Sequence, residues 1–303
     1  MNARLLSLTL AGCIGAGIVS AQTLEQIQQR MGAGGAAGRG ADTPLVEAPW
    51  EKITDKKLFK MGELALGKNP GDWRHAETPH FVIHYRKIID AKKVARQAEF
   101  YYQQVKSDLQ ATEDRFDRKN HLFQFEKPEE WQKFVKDAEV PEWAVGFASR
   151  SELFFLSRQH DNFAAGTLAH EITHCIFHRF VPHRIPMWLN EGFAEFESGN
   201  AYAKFKGIGG GARANVRHGP SKFPLQKLLT TTAYPEDKSD VSEFYATSAR
   251  LVRFLITKFD RKQFLPLVNK IAEGAKFEET VLAVYPDKFK TFADFERAYA
   301  RAD

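Results

Sequence analysis

The sequence predicts an α+β fold, in which a small and mostly antiparallel sheet is followed by helices. Segments with strand character lie before residue 160, and helix-favouring segments dominate after it. An order in which strands come first and helices follow is typical of α+β domains, whereas strands and helices alternate along the chain of α/β domains. The 303 residues are 43% hydrophobic and 27% charged, which is ordinary for a globular protein.

The strands and helices are predicted from residue periodicity. Alternating runs rich in aromatic and β-branched residues predict strands at residues 80–85, 121–125, 144–149 and 152–157. Longer runs predict helices at residues 89–110, 128–137, 164–180 and 187–198. Pro128 suits a first helical turn, and Asp161 or Asn162 can cap the helix that follows. Residues 207–211 are predicted to form a loop. From residue 242 onward the pattern predicts three or four helices separated by Gly274 and Pro286.

The first 21 residues have the features of a signal peptide. Arg4 supplies a positive charge, residues 5–19 are apolar, and small residues precede a cleavage site after Ala21. No second run of this kind follows, so we expect an exported protein, periplasmic or secreted. The alternative is a lipoprotein: residues 10–13 resemble a lipoprotein box, and lipidation of Cys13 would attach the chain to a membrane. Ordinary cleavage is favoured because the segment stays apolar after Cys13.

The rest of the chain divides into an arm and one main domain. Residues 22–74 are predicted to be a Gly-rich flexible linker and an N-terminal arm with scattered apolar residues. Residues 75–303 form the predicted main domain, with the sheet up to about residue 200 and a helical part at residues 201–303. The formal charge is +5 and basic residues are not clustered, so no nucleic-acid partner is expected.

The strongest chemical signal is the segment His170-Glu171-Ile-Thr-His174. On a helix, residues four apart lie one turn apart on the same face, so both imidazoles can reach one metal ion. Glu171 is rotated by about 100° from His170, which places its carboxylate beside the ion. By itself the spacing also fits a helix with two surface histidines.

A second motif strengthens this interpretation. Glu191 follows His174 by 17 residues, inside the segment Trp-Leu-Asn-Glu-Gly-Phe-Ala-Glu at residues 188–195. The two motifs together resemble those of the thermolysin-like gluzincin metallopeptidases, the peptidase-MA-like superfamily. The resemblance implies a zincin fold and one Zn²⁺ ion held by His170, His174 and Glu191. It also implies that Glu171 activates a zinc-bound water and that Glu195 orients His170.

Three other candidate ligand sets are disfavoured. His178 lies eight residues from His170, about 12 Å along a helix at ~1.5 Å per residue, which is too far for a shared ion. Cys175 points about 100° away from His174 and is expected to be a small buried side chain. The metzincin pattern needs Gly and His where this chain has Phe177 and Phe180.

The resemblance also implies an oxyanion donor and a substrate strand. Tyr245 is the best match for a tyrosine that stabilises the tetrahedral intermediate, and it also suits a core aromatic. Tyr202, His218 and Tyr234 are weaker candidates. The strand at residues 152–157 is expected to be the edge strand that pairs with extended peptide.

These features predict a zinc-dependent metallopeptidase acting on peptide or protein substrates. The Gly-rich motif that anchors a free substrate N-terminus in aminopeptidases is not present, so an endopeptidase is favoured. The alternative is a non-catalytic, zinc-containing envelope or substrate-binding protein that uses a peptidase-like fold.

Overall fold

A computed structural model describes residues 44–111, 117–140, 142, 144–157, 162–181, 183–207 and 223–302. The predicted signal peptide, Cys13, most of the linker, Asp161, His218 and residues 208–211 of the predicted loop lie outside these ranges. Every helix among the described residues is too short or too polar to cross a lipid bilayer.

A mixed sheet of six strands forms the first half of the described chain. The strands are β1 (Val46–Glu47), β2 (Arg74–Glu77), β3 (Phe81–Tyr85), β4 (Asn120–Phe125), β5 (Gly146–Ser149) and β6 (Glu152–Leu156), in the order β1-β2-β3-β4-β6-β5. The β3–β4 and β4–β6 pairings are parallel, and the other three are antiparallel. The α+β prediction is confirmed.

Every predicted helix is present. The helices are α1 (Lys60–Leu66), α2 (Ile88–Asp108), α3 (Pro128–Asp137), α4 (Asn162–Phe180), α5 (Met187–Lys206), α6 (Leu225–Thr230), α7 (Lys238–Lys258), α8 (Phe264–Ala272), α9 (Phe277–Val284) and α10 (Phe292–Ala300). The two short helices α1 and α6 were not predicted. Helix α5 runs eight residues beyond its predicted end at residue 198, because Ala201, Tyr202 and Phe205 continue its buried face.

The prediction that residues 152–157 form an edge strand is wrong. Strand β6 pairs with β4 on one side and with β5 on the other, so it lies inside the sheet. The edge belongs to β5, which is joined to β6 by a tight turn at Arg150 (φ 58°). Periodicity predicts that a segment is a strand, but it does not give the order of strands in the sheet.

The two faces of the sheet are covered by different parts of the chain. One face, which includes Ile83, Leu122 and Leu153, packs in a single core with helices α2, α4, α5 and α7. The opposite face packs in a second core with α3 and with the N-terminal arm, here defined as residues 44–73. That second core holds Phe123 and Phe154, whose side chains alternate in direction with Leu122 and Leu153.

Hydrogen bonds to a buried carboxylate hold the N-terminal arm against the sheet. Glu152 of β6 accepts hydrogen bonds from the backbone N–H groups of Phe59 (2.6 Å) and Gly62 (2.9 Å). A Cβ atom at Gly62 would lie 2.4 Å from Glu152 Oε1, so glycine is what lets α1 approach this closely. Burial raises the pKa of Glu152 to about 7, against the lowering effect of the two hydrogen bonds.

A chain of three histidines lies on the arm-covered face. His75 Nδ1 is 2.9 Å from His84 Nδ1, and His84 Nε2 is 3.0 Å from His121 Nδ1. Trp50 of the arm packs against the rings of His75 and His84 at 5.3 and 5.6 Å. Burial lowers the pKa of all three imidazoles, that of His121 to about 4, so they pack as neutral groups.

Candidate metal centre

Helices α4 and α5 bring two imidazoles and one carboxylate to a common point. The Nε2 atoms of His170 and His174 are 3.0 Å apart. Glu191 Oε2 lies 3.4 Å from the first and 3.5 Å from the second. All three side chains are at most 6% exposed. Among the described residues this is the one group of three metal-ligating side chains close enough to hold an ion.

The position of α5 depends on a close approach to α7. A Cβ atom at Gly192 would lie 2.5 Å from the carbonyl oxygen of Ser248 and 2.9 Å from Val252 Cγ2. Glycine next to Glu191 therefore allows the two helix backbones to touch. This contact sets where the carboxylate stands relative to the histidines of α4.

Each of the three cluster residues has its second polar atom held by a partner. His174 Nδ1 lies 3.1 Å from Asn190 Oδ1, and His170 Nδ1 lies 3.2 Å from Glu195 Oε1. Because these oxygens accept hydrogen bonds, each Nδ1 donates its proton, which leaves the Nε2 of the neutral imidazole as the atom that can bind a metal.

Glu191 shows the same division between its two oxygens. The hydroxyl of Tyr234 donates to Oε1 at 2.8 Å, whereas Oε2 is buried and has no hydrogen-bond partner. Two imidazole Nε2 atoms and one carboxylate oxygen therefore converge, and two histidines with one glutamate are a common protein ligand set for zinc. These residues fit a metal ion.

The charges at the cluster favour a cation. Burial alone would raise the pKa of Glu191, but the neighbouring His174 and His170 outweigh it and hold the pKa well below its ordinary value. Burial alone would lower the pKa of His170, but Glu191 and Glu195 outweigh it and raise the pKa well above its ordinary value. The low pKa of Glu191 and the raised pKa of His170 both favour positive charge at the cluster.

Glu171 lies beside the cluster and is 2% exposed. Burial raises its pKa, with a further contribution from Glu191, while His170 and His174 act in the opposite direction. Both of its carboxylate oxygens are buried without a hydrogen bond of normal geometry, and a weaker backbone contact from Ala148 of β5 lowers its pKa slightly. A carboxylate in this environment can accept a proton more readily than one at the surface.

Two tyrosines border the cluster. The ring of Tyr245 on α7 is 6.2 Å from the ring of His170, and its hydroxyl is buried without a hydrogen bond of normal geometry. Burial, followed by the charge of Glu191, raises the pKa of Tyr245 well above its ordinary value, so it is a neutral donor. The Tyr234 ring lies parallel to it at 6.0 Å.

The structure separates the remaining candidates from the site. Tyr202 is eleven residues beyond Glu191 on α5, about 16 Å along the axis at ~1.5 Å per residue. His178 is exposed one turn beyond His174 and does not belong to the cluster. Cys175 is 4% exposed and belongs to the hydrophobic core.

Two contacts at the site were not predicted from the sequence. Asn190 belongs to the second motif and directly precedes Glu191. That position could have predicted a side chain close to His170, His174 and Glu191. Tyr234 lies in the irregular segment 231–237, where no periodicity indicates which way a side chain points. Its contact with Glu191 depends on how that segment packs against α7.

The free edge of the sheet lies next to the helix that carries both histidines. Strand β5 packs against α4, and a Cβ atom at Gly146 would lie 3.2 Å from the side chain of Thr167. Thr167 is one turn before Glu171. The backbone of an edge strand is therefore placed beside the buried carboxylate and the cluster.

A sheet with an edge strand along one helix, and a second helix that completes a His-His-Glu cluster, defines a peptidase-like fold of the metalloprotease type. The chain belongs to the Peptidase MA superfamily, whose family model matches residues 111–301. No curated protein matches the sequence. The resemblance stated from the two motifs is thereby confirmed at the level of the superfamily.

Proposed function

We propose that the protein is a zinc-dependent metallopeptidase that hydrolyses peptide bonds, with endopeptidase activity favoured. The observation that carries this proposal is the convergence of His170 Nε2, His174 Nε2 and Glu191 Oε2 beside the buried carboxylate of Glu171. Zinc bound by these three residues would supply a Lewis acid and lower the pKa of water to about 7.

The residues around the cluster have separate roles in this proposal. Glu171 takes a proton from the attacking water and passes it to the leaving amine. Glu195 and Asn190 hold the two imidazoles in the tautomer that leaves Nε2 free. Tyr245 offers its buried hydroxyl to the charge that develops on the carbonyl oxygen.

The substrate is proposed to bind as an extended peptide along β5. Antiparallel pairing with an edge strand gives hydrogen bonds to the backbone N–H and C=O groups of the peptide and does not depend on its side chains. This is the role that the sequence assigned to β6, now given to the neighbouring strand because β5 is the outermost of the described strands on that side of the sheet. The preference for endopeptidase activity still rests on the sequence, which has no aminopeptidase-type Gly-rich motif.

Glu171→Gln tests the catalytic role. The variant keeps the size of the side chain but loses the base, so we expect it to bind one equivalent of zinc and to lose peptide cleavage by about 10²- to 10⁴-fold. Glu279→Gln is the matched control, because Glu279 is 74% exposed on α9. The measurements are metal analysis and cleavage of an unbiased peptide library.

The outcomes separate the proposal from its alternative. Cleavage retained by Glu171→Gln contradicts the role of the base. Wild-type protein that binds one zinc and cleaves no peptide favours the non-catalytic binding protein. We also propose export on the strength of the N-terminal sequence, and mass spectrometry of the mature N-terminus distinguishes cleavage after Ala21 from lipidation at Cys13.

A further inference from the structure

The third ligand residue is held by a tyrosine from outside the two motif helices. The Tyr234 hydroxyl donates to Glu191 Oε1 at 2.8 Å, while Oε2 faces His170 and His174. Glu191 is 1% exposed, so water does not compete freely for either oxygen. The two oxygens of one carboxylate are therefore in different environments, one occupied by a phenol and one open to a metal.

The Tyr234 ring is fixed by helix α7. It lies parallel to Tyr245, with an interplanar angle of 8° at 6.0 Å, and edge-on to Phe244 at 6.4 Å. Both partners are at most 1% exposed. Helix α7 is also the helix that touches Gly192, so it sets both the backbone and the carboxylate orientation of the Glu191 region.

We propose that Tyr234 is a positioning residue that occupies Oε1 of Glu191 and leaves Oε2 as its single metal-binding atom. The inference rests on the proposed function in that it requires His170, His174 and Glu191 to bind zinc. A carboxylate with both oxygens free can turn and bind an ion through both. Holding Oε1 prevents this and keeps a coordination position open for water, as a catalytic zinc site requires.

The same contact separates the roles of the two tyrosines. A phenol has one O–H group to donate, and that of Tyr234 is given to Glu191. The phenol beside the cluster that is left to stabilise charge on a substrate is Tyr245. Tyr234 acts through Glu191, and its effect is on metal affinity and coordination.

Tyr234→Phe tests this inference, because it removes one hydroxyl and keeps the ring between Phe244 and Tyr245. We expect zinc affinity, measured by competition with a chromophoric chelator, to fall about 10- to 100-fold, as is typical for loss of a partner that orients a ligand. The visible spectrum of the Co²⁺-loaded protein should also change, because Glu191 is then free to bind through both oxygens. Tyr202→Phe removes the hydroxyl of a buried tyrosine far from the cluster and should change neither.

A second variant distinguishes the hydrogen bond from general packing. Tyr234→Leu removes the ring together with the hydroxyl, so Tyr234→Phe should already show most of the loss of zinc affinity that Tyr234→Leu shows. Thermal unfolding of the metal-free proteins shows whether each variant is folded. Equal zinc affinity in Tyr234→Phe and wild type, with an unchanged Co²⁺ spectrum, overturns the inference, and so does a loss of affinity that appears only in Tyr234→Leu.

The test also separates this inference from the proposed peptidase activity. Wild-type protein that binds zinc without cleaving peptides refutes the activity, and the affinities still decide the role of Tyr234. Wild-type protein that binds no zinc overturns both. Cleavage by wild type, together with unchanged zinc affinity in Tyr234→Phe, refutes the role of Tyr234 alone.

Discussion

The Nδ1 atom of His174 lies 3.1 Å from the side-chain oxygen of Asn190, the residue directly before the cluster carboxylate Glu191. The two residues stand on different helices, so the contact joins α4 to α5 at the level of the cluster. It also determines which nitrogen of His174 carries the proton, and thus which nitrogen can bind a metal.

Asn190→Ala should weaken zinc binding by about 10- to 100-fold, because His174 loses the acceptor that fixes its tautomer. Asn190→Asp keeps an oxygen at the same place and should retain most of the affinity. Chelator competition measures both. Equal losses in the two variants would show that the acceptor at position 190 is not what matters.

Gly192→Ala should lower the free energy of unfolding by about 1–3 kcal/mol, the usual cost of forcing extra volume into a packed interior. Alanine favours a helix over glycine by about 1 kcal/mol, but the new methyl group would meet backbone atoms of Ser248, which cannot turn aside. Zinc affinity should fall as well, because Glu191 is the neighbouring residue.

Gly71→Ala is the control for this substitution, since a Cβ atom there would meet nothing within 4 Å. Its unfolding free energy should stay within about 0.5 kcal/mol of the wild-type value. Urea unfolding measures the three proteins. A Gly192→Ala variant as stable as wild type would mean that α5 and α7 can separate without cost.

Glu152 is expected to make stability depend on pH. Its pKa in the folded protein is about 7, above the ordinary value of 4.5, so the folded state binds the proton more tightly than the unfolded state. The stability that it contributes is fully present below its unfolded pKa and is lost as the pH rises through about 7.

Glu152→Gln removes this titration. Between about pH 5 and pH 8 the variant should lose less unfolding free energy than wild type, whatever its stability at a single pH. Urea unfolding at several pH values provides the comparison, with Glu279→Gln expected to follow the wild-type slope. Parallel slopes for Glu152→Gln and wild type would show that Glu152 keeps its ordinary pKa in the folded protein.

The sequence was sufficient for the parts of the molecule that rest on local periodicity. The spacing of His170 and His174 requires only one helix turn, and α3 has the predicted bounds because Pro128 begins it. The parts that depend on tertiary packing were not predicted. Strand β2, which pairs with β3, has Ala76 as its only hydrophobic residue. Its sequence therefore lacks the alternating hydrophobic pattern from which a strand is predicted.

The candidate site shows the same division. The three cluster residues and Glu171 lie in motifs with fixed spacing, whereas Tyr234 reaches Glu191 across 43 residues from a segment without regular structure. Such a contact depends on the packing of α7 against α5. The free edge of the sheet was assigned to the wrong strand for a related reason, since β6 inserts between β4 and β5 only in three dimensions.

The order of the strands has a practical consequence for handling the protein. Strand β1 lies at one edge of the sheet and β5 at the other, five strand intervals apart, or about 24 Å at ~4.8 Å per interval. If the protein is attached to a solid support just before β1, the support lies at the edge of the sheet farthest from β5. Immobilised protein should keep the β5 edge, where we propose that peptides bind, accessible to substrates that the Glu171→Gln variant is used to capture.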